Sequence, residues 1–305
     1  MNIDDNKLIL PNRLLLGDKI GIVAPASPFD IKEFERGISV LESMGFCTSI
    51  PSDLFNKTGY LAGTDKQRAD LINKFFSDKS IKAIFCARGG FGSIKILSLL
   101  DFESIRKNPK VFIGFSDISA ILAVLYKKCR FITFHGPTVT SLKDASDETK
   151  KAILSAISSD MPIEIRPKTR IKINSGSVRG SVSGGNLTTL CHLIGTPFEP
   201  CYKGHILLLE ERGEATYKID RMLTHMKLAG CFNELAGLVL GSFTDCGENK
   251  NIYKIVADIF DDINIPVLAG FEFGHSPCNI TIPLGIQATL DADRYLLHFH
   301  ELATV

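Results

Sequence analysis

The sequence of 305 residues contains no tryptophan, no Cys-x-x-C pair and no long apolar run. A membrane-spanning helix needs about 20 consecutive apolar residues, so we expect no membrane association. Without a Cys-x-x-C pair, the usual signature of a structural zinc site or a redox dithiol is missing. We therefore expect the eight separate cysteines to be free thiols, most of them buried.

A large excess of one charge is also missing. Lysine and arginine total 35 against 34 aspartates and glutamates, which predicts no nucleic-acid partner and no basic membrane-binding patch. The first residues, MNIDDNKLIL, carry acidic groups where a secretory signal carries basic ones. We expect a cytoplasmic protein that acts on a small substrate.

The first half of the sequence alternates apolar, strand-like runs such as KIGIVAPAS and KVFIGFS with helical patterns such as DISAILAVLYKK. This alternation predicts an α/β domain with a parallel sheet, of the flavodoxin-like kind, over residues 1–145. A charged, less patterned stretch predicts an interdomain linker over 146–172 that begins with a helix. Residues 173–305 mix both patterns and predict a β-rich α+β domain.

Three predicted strands of the first domain end in small or polar residues: Pro25 to Ser27, Arg88 to Gly92, and Ser116 with Asp117. Ligands of parallel sheets bind beyond the carboxyl ends of the strands, so we expect these residues around one crevice. The glycine-rich CARGGFGS can bring its N–H groups close to an anion or an oxyanion. It lacks the ending of a phosphate-binding loop, and a tight turn with positive φ explains the glycines equally well.

The stretch IGFSDISAI predicts a strand, a sharp turn and a helix, with Ser116 at the turn. This is the arrangement of a nucleophile elbow, although Ile118 stands where its second glycine belongs. A serine here projects Oγ from the sheet edge, and the N–H of Asp117 can donate to an oxyanion. The alternative is structural, because Ser116 or Asp117 can also cap the helix.

A nucleophilic serine needs a base, and a base needs an orienting acid. Among seven histidines, His135 in TFHGPT and His275 in FGHSPCNITIPLG each end an apolar run beside a glycine, and the residues alone leave the choice open. For the acid, HILLLEERGEA offers three glutamates after a strand. Glu210 leaves the strand first, whereas Glu211 and Glu214 fit a solvated acidic turn better.

Taken together, these motifs resemble the L,D-carboxypeptidase family of serine peptidases, which includes the microcin C self-immunity proteins. The resemblance runs over nearly the whole chain, in the family's order, through GDKIGIVAPASP, YLAGTDKQRADL, ARGGFGS, GFSDISAIL, FHGP, GSVSGGNLTTLCHLIGTP, LLLEERGEATYKIDRML, GSFTDC and GHSPCNITIPLG. It implies a Ser-Glu-His triad made of Ser116, Glu210 and His275. It also implies an α/β domain followed by a β-rich domain, no metal or cofactor, and a homodimer.

The resemblance further implies an oxyanion hole formed by the backbone of Gly90 and Asp117, and we expect Arg88 and Gly89 to bind substrate. A guanidinium such as that of Arg88 matches a terminal carboxylate, although a structural ion pair is equally compatible. The implied reaction is release of terminal D-alanine from a murein tetrapeptide in cell-wall recycling. Cleavage of a peptidyl-nucleotide antibiotic is the alternative, although the family's tryptophan platform is missing, and a non-catalytic peptide-binding protein is a third hypothesis.

Overall fold

The computed structural model describes residues 8–305, so most of the acidic start of the sequence lies outside the described residues. The chain divides into two compact units. The first comprises Met1–Ser159, Thr281–Gly285 and Ala303–Val305, and the second comprises Asp160–Ile280 and Ile286–Leu302. Within residues 8–305, no helix is both long and apolar enough to cross a membrane.

The first unit contains a six-stranded sheet in the order β12-β5-β4-β3-β1-β2, in which β1 to β5 are parallel and β12 is antiparallel to β5. Its strands are β1 (Lys19–Val23), β2 (Cys47–Ser49), β3 (Ile81–Cys86), β4 (Val111–Gly114), β5 (Thr133–His135) and β12 (Ile282–Leu284). Its α-helices are α1 (Ile31–Ser43), α2 (Asp65–Ser77), α3 (Phe102–Lys107), α4 (Ser119–Cys129) and α5 (Asp147–Ile157).

The parallel strands follow the flavodoxin-like order 2-1-3-4-5, which confirms the predicted fold class. Their sequences are almost continuously apolar, because both faces of the sheet are covered. All four residues of β4 are buried, and α4 buries eight of its eleven residues. The strand order reverses at β1 and β3, so the loops that follow these two strands border the crevice where such folds bind ligands.

Helix α2 begins where the sequence supplies a complete capping box. The Thr64 side chain accepts a hydrogen bond from the Gln67 N–H, and the Gln67 side chain accepts one from the Thr64 N–H. The two side chains satisfy backbone donors that have no partner inside the helix. They fix the start of α2 directly after the loop that contains YLAGTD.

The second unit contains a mixed eight-stranded sheet in the order β6-β14-β13-β8-β9-β10-β11-β7, which confirms the predicted β-rich α+β class. Its strands are β6 (Glu164–Ile165), β7 (Ile171–Asn174), β8 (Ser177–Asn186), β9 (His205–Arg212), β10 (Gly237–Thr244), β11 (Val267–Ala269), β13 (Gln287–Asp291) and β14 (Leu296–Phe299). Its α-helices are α6 (Leu187–Cys191), α7 (Thr216–Leu228) and α8 (Asn249–Ile259).

The eight cysteines are free, and five of them are buried, which confirms the expectation from the sequence. Burial raises the pKa of Cys129 and of Cys191 to about 12. These thiols are therefore protonated at neutral pH and act as small apolar side chains.

Candidate active site

Ser116 lies in the first unit, at a sharp turn between β4 and α4. Its φ angle is +64°, a left-handed conformation that is uncommon for any residue other than glycine. Residues Ser116–Ile118 form a short 3-10 turn, after which α4 begins at Ser119. The predicted strand, turn and helix are confirmed. A conformation of this kind costs on the order of 1–3 kcal/mol and persists only where the surrounding structure holds it in place.

The contact between Gly114 and Ile118 explains why the turn tolerates isoleucine in place of the usual second glycine. A Cβ on Gly114 would lie 2.8 Å from Ile118 Cγ2. The missing side chain of Gly114 thus provides the space that the Ile118 side chain occupies, and Ile118 is fully buried there. The turn therefore has one of the two usual glycines, Gly114, and the buried side chain of Ile118 takes the place of the other.

Asp117 fastens this turn to the glycine-rich loop that follows β3. Its carboxylate accepts a hydrogen bond of 2.7 Å from the Ser93 N–H, and its carbonyl accepts one from the Ser93 hydroxyl. Burial raises the pKa of the Asp117 carboxyl above its ordinary value, and the bonds from Ser93 partly oppose this. The N-cap of α4 is Ile118, whose side chain makes no capping hydrogen bond.

The glycine-rich loop packs directly against the Ser116 side chain. A Cβ on Gly89 would lie 2.8 Å from Ser116 Cβ and 3.1 Å from its Oγ, so only glycine fits. Gly90 has a φ angle of +102° and would clash with Ser27 if it carried a Cβ. The Ser27 hydroxyl accepts a hydrogen bond of 3.1 Å from the Phe91 N–H. The predicted meeting of the three strand ends is therefore confirmed.

A buried arginine, Arg68 of α2, ties the same loops together. Its guanidinium donates to the carbonyls of Pro25 and Gly92 and, at 2.5 Å, to the Asp65 carboxylate. The residue is only 3% exposed. Arg68 belongs to the motif YLAGTDKQRADL, but the motif itself indicates no role for this side chain. A bare motif does not reveal which carbonyls a long side chain reaches across the fold.

Glu210 and His275 form a close pair in the second unit. His275 Nδ1 lies 2.7 Å from Glu210 Oε2, and the same oxygen accepts a bond of 3.2 Å from the His275 backbone N–H. The Glu210 side chain is fully buried at the end of β9, and the His275 side chain is 14% exposed. A carboxylate on Nδ1 fixes the imidazole orientation and tautomer and leaves Nε2 as the nitrogen for proton transfer.

The loop that carries His275 is held in place by its neighbours in the second unit. The Asn279 side chain accepts a hydrogen bond of 2.9 Å from the Gly274 N–H, and the Thr244 hydroxyl donates to the His275 carbonyl. Gly274 has a φ angle of +90°, and a Cβ there would lie 2.5 Å from Glu210 Cγ and 2.7 Å from Glu210 Cβ. A glycine at this position is therefore what allows Glu210 to reach His275.

The other two glutamates of the motif serve different purposes. Glu211 is only 3% exposed, so its interpretation as part of a solvated turn is wrong. Its carboxylate accepts hydrogen bonds from the Asn186 side chain at 2.9 Å and from the Thr188 N–H at 2.7 Å. Glu214 instead forms an ion pair with Lys218, one turn along the chain. Side chains alternate across strand β9, so Glu210 and Glu211 point to opposite faces of the sheet.

His135, the other histidine that the sequence left open, lies in β5 of the first unit. It is fully buried, and its ring packs edge-on to Phe115 with 6.1 Å between ring centroids. Full burial keeps a side chain away from a substrate that enters from solvent. Of the two histidines, His275 combines partial exposure with an acidic partner.

The structure thus brings the predicted site residues together in two groups. One group lies in the first unit and comprises Gly89, Gly90, Ser116 and Asp117, together with Arg88, which directly precedes Gly89 in the sequence. Glu210 and His275 form the other group, in the second unit. Among residues 8–305, no group of three or more His, Cys, Asp or Glu side chains is arranged to hold a metal ion.

Comparison with known proteins places the chain among peptidases. A family model described as the LD-carboxypeptidase N-terminal domain matches residues 20–136, and one described as the LD-carboxypeptidase C-terminal domain matches residues 179–290. A probable murein peptide carboxypeptidase of Bacillus subtilis is 34% identical over 92% of this chain and 91% of that protein. The microcin C7 self-immunity protein MccF of Escherichia coli is 32% identical over 93% of this chain and 94% of that protein.

Solved structures agree with the sequence comparisons. An MccF-like protein from Bacillus anthracis superimposes with a TM-score of 0.90 at 26% identity, over 95% of this chain and 99% of that one. Both family models, the relatives and the shared fold lead to one conclusion. The chain belongs to the LD-carboxypeptidase family and is a peptidase.

Proposed function

We propose that this peptidase is a serine L,D-carboxypeptidase that releases the terminal D-alanine of a murein tetrapeptide. The observation that carries the proposal is the 2.7 Å pairing of His275 Nδ1 with a fully buried Glu210. That pairing prepares an imidazole to act as a general base. The name of the Bacillus subtilis relative, a probable murein peptide carboxypeptidase, supports the substrate class.

In the proposed mechanism, Ser116 Oγ attacks the carbonyl carbon of the scissile bond while His275 Nε2 takes the hydroxyl proton. The backbone N–H groups of Gly90 and Asp117 donate to the oxyanion of the tetrahedral intermediate. The C–N bond then breaks, and His275 returns the proton to the amine of the leaving D-alanine. A water molecule, activated by the same imidazole, hydrolyses the acyl-enzyme and regenerates Ser116.

The strained turn at Ser116 supports the role of nucleophile. Ser116 has a left-handed φ angle and stays partly exposed, and Gly89 provides the space for its side chain. The burial of Glu210 supports the role of orienting acid, because a carboxylate shielded from water stabilises the imidazolium more strongly. Arg88 and Gly89 remain our candidates for substrate binding, and we expect the enzyme to work without a metal or cofactor, as a cytoplasmic homodimer.

The test is incubation of the purified protein with a murein tetrapeptide that ends in D-alanine, alongside a matched peptide that ends in L-alanine. We expect release of D-alanine only, unaffected by a chelator. Ser116→Ala and His275→Ala should each abolish turnover, and the double variant should lose no more than either single one, because the residues act as a unit. Activity that disappears on chelation, or that survives in a folded His275→Ala protein, would contradict the mechanism.

A second candidate substrate, a peptidyl nucleotide, is favoured by one surface feature. Tyr60 and Phe91 are 64% and 48% exposed, and their ring centroids lie 5.8 Å apart beside the glycine-rich loop. Exposed aromatic rings offer a stacking surface for a nucleobase. In the self-immunity proteins of the family a tryptophan has this role, and this chain contains none. Preferential cleavage of an aminoacyl sulfamoyl adenosine over the tetrapeptide, lost in Tyr60→Ala, would favour this candidate.

A further inference from the structure

Two backbone N–H groups adjoin the contact between Gly89 and Ser116, and they come from separate segments of the first unit. The Gly90 N–H belongs to the glycine-rich loop after β3, and the Asp117 N–H belongs to the turn after β4. Within residues 8–305, neither group donates to an acceptor in the protein. Two donors stabilise one oxyanion only when both point at the same position, so the separation of loop and turn has to be fixed.

Ser93 is the residue that joins these two segments. Its N–H donates to the Asp117 carboxylate at 2.7 Å, and its hydroxyl donates to the Asp117 carbonyl at 2.5 Å. Ser93 is fully buried and Asp117 is 8% exposed, so both bonds are shielded from water. Asp117 is thus held at its side chain and at its main chain by a single partner, which fixes the direction of its own N–H.

The loop segment that leads from Gly90 to Ser93 has little freedom to adjust. The Phe91 N–H donates to the Ser27 hydroxyl at 3.1 Å, and the Gly92 carbonyl accepts a bond of 2.9 Å from the buried arginine of α2. Both residues between the donor and the serine are therefore anchored. The position of the Gly90 N–H relative to the turn consequently depends on the bonds that Ser93 makes.

We infer that Ser93 is a positioning residue for the oxyanion hole. By holding Asp117 at its carboxylate and at its carbonyl, it sets the separation between the Asp117 N–H and the Gly90 N–H. Because it is fully buried, Ser93 acts through these two donors and not on the substrate. The inference rests on the proposed function and deepens it, because it names the contact on which stabilisation of the oxyanion depends.

The test is Ser93→Ala, which removes the hydroxyl and leaves the backbone bond to the Asp117 carboxylate. The oxyanion forms only after Ser116 attacks, so a loosened hole should lower kcat and change KM by less than about twofold. Loss of a whole oxyanion donor costs about 100- to 1,000-fold in kcat. Here both donors remain and are displaced, and we expect a loss of about tenfold.

A boronic acid measures the hole itself. In a murein tripeptide whose terminal carboxyl is replaced by a boronic acid, boron takes the place of the scissile carbonyl carbon. Ser116 Oγ forms a bond to boron, its proton passes to His275, and boron becomes tetrahedral and negatively charged, with one of its oxygens at the oxyanion position. Ser93→Ala should raise the inhibition constant of this compound by about tenfold, because the adduct resembles the transition state.

Two further variants guard against a purely structural effect. Ser93→Cys keeps a weaker donor at the same position and should lose about threefold in kcat; it decides the question if Ser93→Ala does not fold. Thr140→Val is the matched control, because the Thr140 hydroxyl, also buried in the first unit, donates to the Ala87 carbonyl at 3.1 Å. It removes a buried bond of the same kind outside the loop and turn, and it should keep kcat and the inhibition constant. An unchanged kcat in folded Ser93→Ala, or an equal loss in Thr140→Val, would overturn the inference.

Hydrolysis of p-nitrophenyl acetate separates this inference from the proposed function, because it needs the nucleophile and the oxyanion hole but no murein peptide. If the wild type and Ser93→Ala cleave the tetrapeptide equally fast, the proposed function stands and the inference fails. If the tetrapeptide is not cleaved while ester hydrolysis falls about tenfold in Ser93→Ala, the inference stands and the proposed substrate is wrong. Hydrolysis of neither compound would refute both.

Discussion

Gly274 offers a direct test of the pairing between Glu210 and His275. In Gly274→Ala, the new Cβ would lie 2.5 Å from Glu210 Cγ and 2.7 Å from Glu210 Cβ, so the glutamate side chain must move. The φ angle of +90° costs a non-glycine residue about 1–2 kcal/mol, and the overpacking adds about 1–3 kcal/mol to the loss of stability. Because a displacement of about 1 Å in a catalytic group costs on the order of 100-fold, we expect kcat/KM to fall by about that factor.

The matched control is Gly204→Ala, in the same unit. Gly204 has a φ angle of +69°, and a Cβ there would have no neighbour within 4 Å. This variant carries the backbone strain without the clash, so it should lose about 1–2 kcal/mol of stability and keep its activity. The measurements are kcat/KM on the tetrapeptide and the free energy of unfolding in urea. A folded Gly274→Ala protein with wild-type kcat/KM would show that the reaction does not depend on Glu210 beside His275.

Two further predictions concern stability. Glu211→Gln should lower the free energy of unfolding by about 1–3 kcal/mol, because an amide cannot accept all the hydrogen bonds of a buried carboxylate. The control, Glu214→Gln, should change the free energy of unfolding by less than about 0.5 kcal/mol. Equal effects of the two substitutions in urea titrations would contradict this prediction. Burial lowers the pKa of Lys110 to about 8 from 10.5. The folded chain thus releases this proton at lower pH than the unfolded chain, and the free energy of unfolding should rise from pH 8 to 10.5 by more in the wild type than in Lys110→Met. Parallel pH curves for the two proteins would refute this.

Local signals were enough to predict the turn that carries Ser116. An apolar strand, a small polar turn and a largely apolar helix follow one another within about 20 residues, so the backbone path depends on neighbouring residues. The same holds for the positive φ angles of Gly90 and Gly92. The structure was needed to confirm the turn because Ile118 departs from the usual G-x-S-x-G motif. The space beside Gly114 that accepts the Ile118 side chain depends on packing, which the sequence does not show.

Interactions between distant residues were harder to predict. Glu211 was misjudged because its partners, Asn186 and Thr188, come from β8 and α6, more than 20 residues earlier in the chain. The role of Arg68 was missed for the same reason, since it depends on carbonyls of two separate loops. The choice of His275 over His135 came from the family resemblance. The structure adds that His275 pairs with Glu210 and is partly exposed, whereas His135 is fully buried.

Strand β12 has a consequence for the way this protein is made. Residues Ile282–Leu284 pair with β5 at the edge of the sheet that carries Ser116, although most of that sheet is encoded before residue 136. A ribosome adding about 5–20 residues per second takes roughly 6–25 s to travel from residue 159 to residue 285. During that interval β5 has a partner on its β4 side only, and an open strand edge is a template for wrong pairing with other chains. Synthesis of Ile282–Leu284 therefore determines when the nascent sheet is sealed.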